Sequence, residues 1–157
     1  MGRGFARISI VQASKDGLGP EEVSAIEIPT RATMLSAGYD LRSVKDMIVP
    51  AHSSVKIPTG IRAFMLDDEV LLVHIRSSLG FKYNIRLSNA TGVIDSDYYF
   101  AENEGHIWLG VFNDGNEDFI IKRGDRVAQG IFMKYETAGD VVSEVRTGGL
   151  GSTNKKV

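Results

Sequence analysis

The chain is 157 residues long, lacks cysteine, and sets 18 basic against 20 acidic side chains for a formal charge of −2. That length suits one domain with a substantial core. The balanced charge, with no lysine or arginine run beyond two, argues against broad electrostatic binding to nucleic acid or membrane, and without thiols there are neither disulfides nor thiolate metal sites.

At the start, "MGRGFARISI" lacks the apolar centre of a signal peptide, and no apolar run in the chain reaches membrane-spanning length, so the expected location is the cytoplasm. Ala6, Ile8 and Ile10 alternate with Arg7 and Ser9, which predicts a strand. Val55 and Ile57 alternate in the same way with Ser54 and Lys56. "WLGVF", the turn-forming "NDGN" and "FIIK" read as a hairpin. From about Thr137 the pattern thins into a strand at 141–145 and a glycine-rich tail, which divides the chain into a β core (1–136) and a C-terminal arm (137–157). Short strands joined by turn signals, with no ten-residue helical stretch between them, predict an all-β sandwich or barrel and exclude a doubly wound parallel sheet.

Several polar stretches interrupt this pattern. Asp40 in "AGYDL" reads as a strand-end aspartate or as a metal contact. Arg76, Ser77 and Ser78 in "RSSLG" form either a polar loop closing a hairpin or a forked charged donor beside two hydroxyls, suited to phosphate. In "NATGVIDSDYY", Asp95 and Asp97 fall on one side if the strand continues, and act as a base with its orienter, as a divalent-ion site, or as an acidic turn. Arg126 and Gln129 in "GDRVAQGIF" say little alone. His52, His74 and His106 lie far apart, match no close-spaced zinc pattern, and read as surface or hairpin residues. The terminal "RTGGLGST" has the vocabulary of a phosphate cradle but no following helix to complete a nucleotide-hydrolase phosphate loop.

In their order, "AGYDL", "RSSLG", "GVIDSDY", "GDRVAQ" and "GGLGST" resemble the five motifs of the trimeric dUTPase family, the deoxyuridine triphosphate nucleotidohydrolases, and "IPTGI" is similar to it as well. The resemblance implies a jelly-roll-like β subunit with a flexible C-terminal arm, assembled as a homotrimer with active sites at subunit junctions. It implies hydrolysis of dUTP to dUMP and pyrophosphate, which keeps uracil out of DNA and supplies dUMP for dTMP synthesis. Asp95 then corresponds to the base that activates the attacking water. Asp40 corresponds to a residue that holds Mg²⁺ through a coordinated water. Arg76, Ser77, Ser78 and Gln129 correspond to phosphate contacts, joined by Arg146, Gly151, Ser152 and Thr153 when the arm closes. Asn89, Gly92, Val93, Ile94 and Ile107 correspond to the hairpin that pairs with uracil, Tyr98 to the tyrosine packed on deoxyribose, and Leu150 to a position usually aromatic.

Three departures stand out. Ile75 replaces a common proline. Leu150 exchanges a stacking ring for an aliphatic contact, a loss of about 1 kcal/mol. About five residues, 99–103, are inserted before the uracil-pairing strand resumes at 105–107, at a point where a hairpin tip tolerates a change of length. The insertion supports a rival reading, a regulator that keeps the fold and contacts another protein through exposed Tyr99 and Phe100. A second rival is a dCTP deaminase, which shares the fold.

Overall fold

The computed structural model describes residues 2–149. In chain order they form β1 (Gly4–Arg7), α1 (Ile10–Lys15), α2 (Pro20–Ser24), β2 (Tyr39–Arg42), β3 (Met47–Val49), β4 (Ser54–Pro58), β5 (Ile61–Phe64) and β6 (Glu69–Ile75). Then follow α3 (Ser77–Tyr83), β7 (Ile85–Leu87), β8 (Gly92–Asp95), a 3-10 helix (Ser96–Phe100), β9 (Trp108–Asn113), β10 (Phe119–Ile121) and β11 (Arg126–Lys134). Every paired strand is antiparallel to its neighbours.

A four-stranded sheet in the order β2-β11-β6-β8 packs against a three-stranded one, β4-β9-β7, and the pairs β1-β5 and β10-β3 complete the body. Alternation in β6 sends Leu71 and Val73 inward, and in β9 it does the same for Leu109 and Val111. These meet Leu41, Ile57, Leu87 and Val127 in one core shared by both sheets. Full burial of each such side chain contributes about 1.5–3 kcal/mol. The result is the all-β sandwich that the short alternating segments predicted, in the jelly-roll-like form that the family resemblance implied. A smaller cluster of Ile8, Ala13, Leu18, Ile26, Val44 and Ile61 seats the N-terminal helices.

Local readings needed correction. The first strand ends at Arg7: Ser9 caps α1, its hydroxyl accepting from the Gln12 amide at 3.1 Å, so Ile10 lies on an exposed helical turn. The expected hairpin does not form, because β9 pairs with β4 and β7 while β10 pairs with β3. The loop expected after Arg76 is the helix α3, closed by Asn84 in the left-handed conformation. Residues 141–145 form no strand and leave Val141, Val142 and Val145 exposed.

Candidate active site

The sequence-predicted residues gather at two separate places. The first is built on β8, whose Val93 and Ile94 pair with Leu72 and Leu71 of β6. Asn89 sits in the turn before β8, where Ala90 takes a φ of 60°. Asn89, Gly92, Val93, Ile94 and Ile107, which the resemblance assigns to the uracil-pairing hairpin, line one pocket of about 220 Å³. Lys56, Ser88, Trp108 and Gly110 line it too. No local pattern singles these out, because they reach the pocket only through the pairing of β9 with β4 and β7.

β8 ends at Asp95, the residue after the pocket-lining Ile94, and the chain turns at once into the 3-10 helix. The strand that would have kept Asp95 and Asp97 on one side therefore stops between them. Both carboxylates nevertheless converge on one arginine: Arg146 donates from Nη2 to Asp95 at 2.5 Å and from Nε to Asp97 at 2.8 Å. The same guanidinium lies 5.8 Å from the centre of the Tyr98 ring. Arg146, which the resemblance assigns to the phosphate contacts, here bonds both aspartates. Tyr98 is buried, donating its hydroxyl to the His106 carbonyl at 3.0 Å and accepting from Asn103 Nδ2 at 2.9 Å. Burial pushes its phenol pKa up, opposed by the Asn103 hydrogen bond and the nearby Arg146 charge.

His106, expected to be a surface or hairpin residue, is fully buried. Its Nε2 accepts the Gly60 amide at 2.9 Å, so the ring proton sits on Nδ1 and is donated to Asp16 at 2.6 Å. Burial lowers its pKa, and the bond to Asp16 opposes that shift. Tyr99, also expected to be exposed, is half-buried: the Arg62 guanidinium lies 3.5 Å from its ring centre and Phe64 packs edge-on. Phe100 alone of the inserted aromatics is exposed.

The second place lies at the far end of β6. Ile75 ends the strand, Arg76 follows, and Ser77 and Ser78 occupy the first turn of α3. Gln129 on β11 faces His74 on one side and Asp40 on the other. Gly38 leaves no room for a Cβ against the Gln129 side chain. The Asp40 carboxylate lies between two guanidinium groups, 3.4 Å from Arg76 Nε and 3.2 Å from Arg126 Nη1. Among the described residues no group of three or more His, Cys, Asp or Glu side chains is placed to hold a metal ion. Leu150, Gly151, Ser152 and Thr153 lie outside the described residues.

Strand β6 separates the two places. Asp95 pairs opposite Val70 and Arg76 follows Ile75, so at the rise of a β-strand they stand about 20 Å apart within one chain. A larger cleft of about 340 Å³, lined by Arg3, Tyr39, Glu69 and Lys134, contains none of the predicted site residues. Its buried Glu69 is already held by Arg3 and by the Leu66 amide.

A family model described as dUTPase matches residues 24–154. A deoxyuridine 5'-triphosphate nucleotidohydrolase of Lactococcus lactis subsp. lactis is 42% identical over 134 residues, covering 83% of this chain and 89% of the relative. One from Pasteurella multocida is 37% identical over 138 residues, covering 82% and 88%. The crystal structure of dUTPase from Streptococcus mutans is similar with a TM-score of 0.74 at 35% identity, over 87% of this chain and 99% of that one.

Proposed function

The chain belongs to the dUTPase family, and from that premise we propose that it hydrolyses dUTP to dUMP and pyrophosphate with Asp95 as the base. The observation that carries this reading is the position of Asp95 at the end of β8, directly after Gly92, Val93 and Ile94, which line a pocket together with Asn89 and Ile107. A uracil seated there presents its hydrogen-bonding edge to backbone groups of β8 and the strand after the insertion. Cytosine carries the opposite donor and acceptor pattern and would leave buried groups unpaired, the strongest kind of discrimination. The nucleotide's α-phosphorus then lies within reach of Asp95. The carboxylate takes a proton from water as the new P–O bond forms, and the bond to the bridging oxygen breaks to release pyrophosphate. Tyr98 packs against the deoxyribose.

Arg76, Ser77, Ser78 and Gln129 would bind the phosphates, and Arg146 would join them once released from Asp95 and Asp97, together with Gly151, Ser152 and Thr153 of the arm. The donor set fits a hydrated Mg²⁺ carried by the triphosphate. Asp40 offers one carboxylate already flanked by Arg76 and Arg126, suited to a water in the ion's shell and not to a full set of direct ligands. When bound, the ion would neutralise charge developing on the phosphate oxygens.

The separation of Asp95 from Arg76 supports a further part of this reading. A triphosphate is too short to meet both in one chain, so the phosphate end of one copy must complete the base end of another, which supports a homotrimer with shared sites. The division into core (1–136) and arm (137–157) belongs to the same proposal.

The test is pyrophosphate release with Mg²⁺ from dUTP, dCTP, dTTP and UTP, for this protein and for Asp95→Asn. The expected outcome is turnover of dUTP alone, lowered at least 10²-fold in the variant. Ammonia release from dCTP would instead establish a deaminase. Tight dUTP binding without cleavage by the unmutated chain would remove the catalytic assignment.

A further inference from the structure

The inserted segment has no role in the reaction as described, yet it is where the arm lands. After residues 141–145, which are exposed, the chain returns to the body at Arg146, whose side chain is only 14% exposed. The Glu102 amide donates to the Thr147 carbonyl at 3.3 Å. Gly149 lies on the Asn103 carboxamide so closely that an added Cβ would fall 3.0 Å from Asn103 Cγ. Asn103 meanwhile bonds the Tyr98 hydroxyl and accepts the Gly105 amide at 3.2 Å. One short segment thus grips the arm's backbone, steadies the tyrosine of the sugar site, and lets Arg146 span two carboxylates.

We infer that Asp97, Glu102 and Asn103 form a receptor for the chain's own arm, which holds Arg146 across Asp95 and Tyr98 until a nucleotide displaces it. This rests on the reading of Asp95 as the base. With Nη2 at 2.5 Å, Arg146 occupies the carboxylate oxygen Oδ2 that would receive the water's proton, and its guanidinium lies over the ring assigned to the sugar. A triphosphate offers the arginine a stronger bidentate anion than either aspartate. Substrate therefore draws off the group that masks the base. Asp97 acts through Arg146 and is a positioning residue, as is Asn103.

Trypsin reads the latch without any nucleotide, because it cuts after Arg146 only when that side chain is released. The full-length protein is compared with Asp97→Asn, Asn103→Ala and the conservative Asp97→Glu, following cleavage at Arg146 by intact mass. Asp97 is exposed, so its variants should fold as the parent does, and a thermal melt verifies it. We expect cleavage roughly two- to five-fold faster in Asp97→Asn and Asn103→Ala, the range for a solvent-screened ion pair, with Asp97→Glu near the parent rate. In Asp97→Asn the KM for dUTP should fall by a similar factor with kcat retained, since the latch competes with substrate. Parent-rate cleavage in both variants overturns the latch, and so does a rise in KM, which would place these residues in holding the substrate-bound arm. Faster cleavage in a protein that does not turn over dUTP would uphold the latch while removing the assigned reaction.

Discussion

His106 is kept neutral by geometry as much as by burial. Its Nε2 already accepts the Gly60 amide, so a second ring proton would set two N–H groups against each other. The unfolded chain has no such restriction and takes up that proton near the ordinary value of 6.5. The folded value lies lower, so between the two the unfolded state binds more protons and stability falls as pH drops below about 6.5. Urea denaturation from pH 7.5 to 5 should reveal a slope of at most about 1.4 kcal/mol per pH unit, the limit for one proton. His106→Gln should flatten it over that window, since the depressed carboxylates Glu69 and Glu104 titrate below it. In the sequence His106 is merely a histidine after a glycine. Its partners Asp16 and Gly60 are 90 and 46 residues away, and no local pattern reports them.

At the scale of elements, the strands were legible and the helices were not. Among the described residues the three α-helices have at most seven residues each, too few for a 3.6-residue period to declare itself. One signal for α1 was available, since Ser9 followed by Gln12 has the spacing of a capping box. The inserted turn carries its own requirement. Gly105 has a φ of +70°, and an added Cβ would meet the Tyr98 carbonyl oxygen at 2.6 Å, whereas Gly124, at +88°, faces open space. Gly105→Ala should therefore destabilise by roughly 2–4 kcal/mol, combining backbone strain with a clash, and Gly124→Ala by only about 1 kcal/mol. Paired urea midpoints measure the difference. Equal losses would mean that the turn at Gly105 relaxes around the new methyl.

For the whole molecule, the length of β6 matters most. It keeps Asp95 and Arg76 about 20 Å apart in one chain, and under the proposed function neither end alone would process a nucleotide. Asp95→Asn and Arg76→Ala should each be inactive in a homogeneous assembly. Refolded together in equal amounts, they should recover about a quarter of the parent activity, the chance that a junction draws its aspartate from one variant and its arginine from the other. Steady-state turnover of the mixture measures this, and no recovery would argue that each site lies within a single chain.

The sequence alone determined the all-β class and the order of the chemical stretches, because alternation, turn chemistry and motif order are local properties of the chain. Only the tertiary structure decided that β9 leaves β10 for β4 and β7, that His106 is buried, that Trp108 and Lys56 line the pocket, and that Arg146 returns to Asp95 and Asp97. A period of two tells which way a side chain points from its own strand, but not which strand lies beside it. Pairing, depth and charge neighbours are set by burial summed over residues distant in sequence, and they exist only once the chain has folded.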